Sequence, residues 1–595
     1  MIEPARKSIA DLLKMQQRFR VPAFQRDFKW GTDEARELMV DLKTQAESQE
    51  PQNLFLGNII VSRLAQSADL QIVDGQQRLT TISLLLLVCR TIAKKLDPQH
   101  QHQAHAIQRM LTYVDDTTGY SSGGRVLVSP SIKELFDYII SSGWDGIFPE
   151  QVDGKGVKRQ VNKIRPIYEF FYNEIDGFDV DKLSRFLAAV YGSYVIYIEI
   201  GKQEEAFDIF ERTNARGVEL DAADLTKNFI FQQQHDSGVN QELEANWADV
   251  VENAGGTILR MLKYFWVSRN GYVQKKNLFP NLKAYGKDVG AGELVNQLLN
   301  FSEFYQAVRS GELDDIRAIV RDRGFNYINI TQEAITSLQD TFQALQLFKV
   351  TQAYPLIYSI FESYEKSGGS DDRGLTDRLI WLLKMIENYH FINNVICERI
   401  GNEVEHLYAD FSKLFFSSKK FNEVTTDFLV EIKKRLAGPA EFKPRFCEIS
   451  YSSADIPLIC YIFDRINNFG LKAGQTIKIF NPDRDFIRRN FDIEHFYPQK
   501  PSPGDNLPGI GDNVHNVGNL LVISKFVNRS TLKNLSPKDK ALRLSNSLEQ
   551  IQNMRHVRSF LDRYNPAVHN WDEAAIKKRA HDLAEESYNR VWALI

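Results

Sequence analysis

At 595 residues the chain is too long for a single hydrophobic core, and length alone sets an expectation of roughly two to four domains. It has the 43% hydrophobic and 25% charged residues of a soluble globular protein, and a net charge of only −4, so any nucleic-acid contact must come from local basic patches. Its four cysteines (Cys89, Cys397, Cys447, Cys460) show no C-x-x-C spacing, which argues against a zinc ribbon or a disulfide framework and fits a reducing cytoplasm.

Met1 to Arg20 mixes charges throughout, so no signal peptide is expected. Residues 21–30, V-P-A-F-Q-R-D-F-K-W, begin as a Pro-led extended strand and give way to an acidic helix over about 32–46, with Thr32 as its N-cap. Residues 55–61 and 70–73 read as short strands. The second runs into Asp74, Gly75, Gln76, Gln77 and Arg78, then into a long apolar helix over about 79–95. The run Leu79 to Cys89 is too short to span a bilayer and is flanked by Arg78 and Arg90, so it reads as a buried helix. A strand, a tight glycine turn and a helix N-terminus carrying two amides and a guanidinium make a natural anion site. A plain turn capped by Asp74 is the structural alternative. No P-loop sequence is present, so an ordinary P-loop ATPase is not expected.

The basic cluster Lys155, Lys158, Arg159, Lys163 and Arg165 reads as a solvated helix face. A third motif follows at 207–228, F-D-I-F-E-R-T-N-A-R-G-V-E-L-D-A-A-D-L-T-K-N. In it Gly217 fits a positive-φ turn, and Asp224 and Lys227 could form an i,i+3 surface pair. From about 241 to 480 the pattern is mostly amphipathic helix, for example 294–308, 331–348, 376–391 and 404–416, with aromatic residues at core spacing. Breaks are expected near Gly255 and Gly256, at 367–374 and at 438–444.

Residues 491–498, F-D-I-E-H-F-Y-P, place a carboxylate beside an imidazole on a short extended segment, and Asn519 and Asn528 follow nine residues apart. These are the parts of a one-metal phosphodiesterase site. Glu494 and Asn528 offer hard oxygen ligands, with Asp492 as a possible second acid, and His495 can deprotonate a water. Such donors favour magnesium or manganese over zinc. Between Lys525 and Arg543 six basic residues face one acid, Asp539. Lys525, Arg529, Lys533 and Lys540 are therefore expected to hold a nucleic-acid backbone. The Pro- and Gly-rich stretch 500–513 reads as a loop insertion, and His515 as a structural residue.

The spacing of His495, Pro498, Asn519 and Asn528 resembles the HNH, or ββα-metal, nuclease motif. The resemblance implies that His495 is the general base, that Asn519 holds the loop or orients the His, and that Asn528 binds the metal. The order P-x-F-Q-R, D-G-Q-Q-R and the 207–228 motif resembles the GmrS-like N-terminal domain, which has a ParB/sulfiredoxin-type fold. The two together resemble the GmrSD family of modification-dependent (type IV) restriction endonucleases, to which BrxU and the phosphorothioate-sensing defence protein SspE are similar. The likeness covers about 8–235 and 480–575. It implies that Asp74, Gly75, Gln76, Gln77 and Arg78 contact or help hydrolyse a nucleoside triphosphate (GTP, UTP or ATP). Gln25 and Arg26 would lie near that pocket, and Asn214, Arg216, Gly217, Asp224 and Lys227 would complete it.

The expected fold is α+β and multidomain: a ParB/sulfiredoxin-like sensor domain at 1–240, a helical connecting domain at 241–475 and an HNH domain at 476–595. The expected function is a cytoplasmic, nucleotide-regulated DNA endonuclease or nickase of prokaryotic antiphage defence, with NTPase activity at its N-terminal end. It would act on modified or host-mark-discriminated phage DNA, with no membrane partner. The rival reading is a nucleotide-sensing, DNA-binding regulator with an inactive HNH-like end. RNA cleavage and self-association into a homo-oligomer stay open.

Overall fold

The computed structural model describes residues 4–22, 28–48, 53–63, 69–97, 101–114, 121–129, 132–142, 155–200, 222–233, 241–322, 331–451, 456–471, 475–482, 490–501, 509–547 and 554–594. Gln25, Arg26, Asn214, Arg216 and Gly217 lie outside the described residues. The chain divides into two compact units, residues 1–247 with 279–295 and residues 248–278 with 296–595.

In the first unit the strands are β1 (Pro4–Ser8), β2 (Phe19–Arg20), β3 (Phe55–Arg63), β4 (Leu70–Asp74), β5 (Thr112–Val114), β6 (Ser121–Gly124), β7 (Val126–Leu127) and β8 (Tyr194–Ile200). Six of them form one mixed sheet in the order β1-β8-β3-β4-β2-β7, while β5 and β6 pair separately. β3 lies parallel to β8 and antiparallel to β4, which itself runs parallel to β2. The β-branched residues Ile59, Ile60, Val61, Ile72 and Val73 account for the two inner strands, and all are buried.

The acidic helix spans Thr32–Glu47, but its N-cap is Gly31 rather than Thr32. Glu34 explains the shift, since its carboxylate accepts the Gly31 N–H at 2.8 Å and satisfies an otherwise orphaned donor. The apolar helix spans Gln76–Leu96 and is buried on every face through its middle. Arg90, at the end of that run, is also buried and donates to the carbonyls of Ile139 and Ile140 at 2.8 and 3.0 Å. It thereby satisfies the C-terminal carbonyls of the helix Lys133–Ser142.

In the second unit the amphipathic stretches form the helices Gln332–Leu347, Arg373–His390 and Glu405–Ser417, among others. Phe301 and Phe304 pack edge-on against Tyr358 inside this layer. Residues 438–444 were expected to break the chain, yet they start a helix, Pro439–Cys447. Gly438 is the extended N-cap and Pro439 occupies the first turn, where a missing N–H costs nothing.

A buried ionic knot ties this layer to the C-terminal part of the unit. The Glu387 carboxylate, wholly buried, accepts from Arg465 Nε at 2.8 Å, Lys384 Nζ at 2.7 Å and the Tyr461 hydroxyl at 2.7 Å. Burial alone would raise its pKa, but the two cations hold it below the ordinary carboxylate range. Trp592 donates to the same Tyr461 hydroxyl at 2.8 Å and stacks on Phe391 at 4.1 Å.

Two buried histidines set an acid limit on this unit. His390 lies between Asn394 and Tyr408, and His556 between Asn467 and the Val522 carbonyl. Burial lowers the first to about 4 and the second to about 3. An unfolded histidine titrates near about 6.5, so between that pH and the folded value the unfolded chain binds more protons. Their stabilisation is therefore full above about pH 6.5 and is lost as pH falls toward 4. Denaturant unfolding at pH 7.5 and pH 4.5 is expected to show a loss of about 2.5 kcal/mol for each histidine.

Candidate active site

In the second unit β9 (Phe491–His495) pairs antiparallel with β10 (Leu520–Ser524), with Leu521 opposite Glu494 and Leu520 opposite His495. Strand alternation puts Asp492 and Glu494 on one side of β9. After β10 the chain turns at once into a short helix over 525–532, whose segment Val527–Leu532 is π-helical. Asn528 sits near the start of that segment. Asp492, Glu494, His495 and Asn528 line a single cleft of about 460 Å³ together with Arg529, Lys533, Lys540, Gln499 and Tyr451.

The Asn519 carboxamide shapes the loop behind His495. Its Oδ1 accepts from the Tyr497 N–H at 2.7 Å and from Trp571 Nε1 at 3.0 Å. Its Nδ2 donates to the carbonyls of Tyr497 at 3.0 Å and Val514 at 2.7 Å. The preceding residue must be glycine, because a Cβ on Gly518 would stand 2.1 Å from the Ile576 carbonyl of the helix Glu573–Glu586. Asn519 is thus wholly buried, with its amide committed to the loop and to Trp571.

His495 is nearly buried. Its Nε2 lies 3.2 Å from His515 Nδ1 and 3.1 Å from Gln499 Nε2, and the Tyr451 ring meets it edge-on at 4.8 Å. Burial, reinforced by His515 and Lys540, lowers its pKa to about 4, so the imidazole is neutral at pH 7. His515, read from sequence as structural, is thus a direct neighbour of the candidate base.

The carboxylates on β9 are both ion-paired. Lys540 Nζ stands 2.5 Å from Glu494 Oε1, off the direction of a regular hydrogen bond, and donates to the His495 carbonyl at 2.8 Å. Burial outweighs their attraction, raising the Glu494 pKa and lowering that of Lys540. Arg529 grips Asp492 at 2.7 and 3.4 Å while remaining largely exposed.

Lys540 therefore does not serve as a surface lysine for a DNA backbone, as its place in the basic run suggested. It is 1% exposed and committed to Glu494 and His495. The signal was present, since Lys540 shares the buried stripe of the helix Pro537–Ser545 with Ala541 and Leu544. Arg529 and Lys533 stay on the exposed rim of the cleft, and Lys525 is half-buried. Lys533 adopts a left-handed φ of 46°, ending the π-helical segment with its N–H on the Asn528 carbonyl at 2.9 Å.

The donor set suits a hard divalent cation in kind: two carboxylates and an amide oxygen line the cleft, and the Cys460 thiol that also lines it is pushed by burial to about 12 and stays protonated. The Glu494 Oε1, buried without a directed hydrogen bond, is an oxygen such an ion could use. Among the described residues no group of three or more His, Cys, Asp or Glu side chains is gathered into a ready cage.

In the first unit the Asp74 to Arg78 turn joins β4 to the helix Gln76–Leu96. Gly75 has φ +96°, and a Cβ there would press to 2.3 Å from Ile59 Cδ1, so both conformation and space demand glycine. The Asp74 carboxylate accepts the Gly75 N–H at 2.8 Å. Gln77 is buried and its Oε1 accepts the N–H groups of Lys29 and Trp30 at 2.8 and 3.1 Å. Arg78 donates to the Asn58 carbonyl at 2.9 Å and lies across Gly57; burial lowers its pKa, against the pull of Asp74. Asp224 pairs with Lys29 at 3.3 Å, so the third motif meets the segment after the first. Gln76 is buried and Lys227 half-buried.

Two family models match the chain: the N-terminal domain of GmrSD restriction endonuclease over residues 9–231 and the C-terminal domain of GmrSD restriction endonucleases over 439–586. No curated protein matches it. With both halves present, the chain is of the class of defence nucleases that cut DNA. It belongs to the GmrSD family of type IV restriction endonucleases. The Asp74 to Arg78 turn falls within the first matched stretch and the His495 cleft within the second. Among the described residues no helix is long and apolar enough to cross a membrane.

Replacing Asn519 by Ala would leave Tyr497 N–H and Trp571 Nε1 without acceptors. An urea-unfolding series is expected to show a loss of about 3 kcal/mol, from two buried donors at roughly 1–3 kcal/mol each.

Proposed function

We propose that the chain is a nucleotide-regulated, metal-dependent HNH endonuclease or nickase acting on modified phage DNA. In this reading the first unit is a ParB/sulfiredoxin-like sensor and the β9, β10 and 525–532 segment is the ββα-metal element. The observation that carries it is the convergence of Glu494, His495 and Asn528 on one cleft rimmed by Arg529 and Lys533.

His495 acts as general base. Its lowered pKa keeps it unprotonated at neutral pH, so it can take a proton from a water aligned with the scissile phosphate. His515 and Tyr451 fix the ring, and Asn519 fixes the loop that follows it. Glu494 and Asn528, with Asp492, would hold magnesium or manganese, which when bound supplies charge stabilisation at the phosphate and the leaving 3′ oxygen. Arg529, Lys533 and Lys525 hold the DNA backbone. A 5′-phosphate and a 3′-hydroxyl are the expected products.

At the other end, GTP, UTP or ATP would place its phosphates at the N-terminus of the helix Gln76–Leu96, beside Gly75 and Arg78. A long helix offers N–H donors and a partial positive charge there. This supports nucleotide binding; hydrolysis there and the response of the DNA-cutting end to it are part of the same proposal.

The test is supercoiled-plasmid nicking with manganese, with modified and unmodified phage DNA, and with each nucleotide in turn. His495→Ala should reduce nicking by roughly 10²- to 10⁴-fold while nucleotide turnover continues. A wild-type protein that leaves every plasmid intact under all nucleotide conditions would overturn the reading in favour of a DNA-binding regulator.

A further inference from the structure

Each carboxylate on β9 already has a cation of its own. Lys540 Nζ stands 2.5 Å from Glu494 Oε1, with both side chains almost wholly buried, and the His495 carbonyl anchors the ammonium at 2.8 Å. Arg529 closes on Asp492 through two contacts. Lys533 lines the same cleft, so two negative groups are met by three positive ones before any substrate enters. A divalent ion approaching Glu494 would meet a resident ammonium within a few ångströms, where burial leaves little water to screen the repulsion. A phosphodiester brings negative charge to the place where it is lacking.

We propose that the ion pairs of Lys540 with Glu494 and of Arg529 with Asp492 form a charge interlock, which keeps divalent-cation affinity low in the free protein and raises it once a DNA phosphate enters the cleft. The interlock rests on the reading of this cleft as a metal site. Linkage makes it reciprocal, so the cation tightens DNA binding by the same factor. The free protein then carries little bound metal, and a competent site assembles only on DNA. Lys540 is a positioning residue here, acting through Glu494 rather than on the substrate.

Manganese binding can be read directly from the electron paramagnetic resonance signal of the free aqueous ion. The full chain carrying His495→Ala, which under the proposed function leaves DNA uncut, is titrated alone and with a short DNA duplex. A duplex-only control removes binding to DNA itself. The duplex is expected to tighten manganese binding about tenfold or more, within the usual range of coupling between sites. Lys540→Met should raise the affinity of the DNA-free protein by a similar factor, and Arg529→Gln by a smaller one, each shrinking the effect of DNA. Should Lys540→Met fail to fold by circular dichroism, the exposed Arg529→Gln decides. Equal manganese affinity with and without DNA, or no change in the DNA-free affinity of either folded variant, overturns the interlock while leaving a manganese-dependent nicking activity untouched. No manganese uptake in any state removes the metal reading and the interlock together.

Discussion

The cleft depends on the register between β9 and β10, because strand alternation is what places Asp492 and Glu494 on the same side as the incoming helix. A slip of one residue would turn both acids away. Two strands of five residues cannot hold their own register in water, since an isolated pair of this size is marginal at best. The pairing is held from outside. Arg579 donates to the carbonyls of Gly518 and Leu520, and His556 contacts the carbonyl of Val522, so the outer edge of β10 is occupied by side chains rather than by a third strand. At the near end Asn519 joins the two strands through the backbone of Tyr497, and Gly518 lets that turn lie directly on the helix Glu573–Glu586.

Electrostatics at the two buried centres of the second unit follow one rule with different results. Glu387 is surrounded by well-placed donors and stays ionised, so its knot acts as a fastener between helices. Such a pair contributes less net stability than its short distances suggest, because taking each ion out of water costs nearly as much as the pair returns. Its value lies in geometry, since only one arrangement of the helices Arg373–His390 and Ile456–Asn468 satisfies all the donors. Glu494 is less completely met, by one ammonium at an oblique angle, and burial pulls both partners toward neutrality. A fully satisfied carboxylate belongs to the scaffold, and an incompletely satisfied one at a cleft wall is available for chemistry.

Local patterns were readable wherever a residue's role depends on its immediate neighbours. The helix Gln76–Leu96 followed from its unbroken apolar run, Gly75 from the need for a turn between strand and helix, and the alternation of residues 491–495 from a strand. The gathering of Glu494, His495 and Asn528 was suggested by their spacing. What was not legible was the set of contacts made across long stretches of sequence. His515 approaches His495 only because the short helical turns before β10 bring it back, and Tyr451 arrives from a bridge between Ser450 and Asn516. Lys540 was misread because a count of basic residues ignores which face of a helix carries them. The N-cap at Gly31 and the helix start at Gly438 were missed for a related reason: a carboxylate three residues in, and a proline in a first turn, override the residue types usually found at those places.

Trp592 has a consequence in time as well as in space. Its indole stacks on Phe391, about two hundred positions earlier in the chain, and bonds the hydroxyl of Tyr461, 131 positions earlier, which Glu387 also holds. During synthesis the cleft residues emerge from the ribosome well before residue 592 does, and a domain closes its core only when its contacting parts are all available. A nascent chain would thus display the acid and imidazole couple on an unfinished support. The helices Arg373–His390 and Ile456–Asn468 thus gain this closing aromatic contact only after translation has passed the indole.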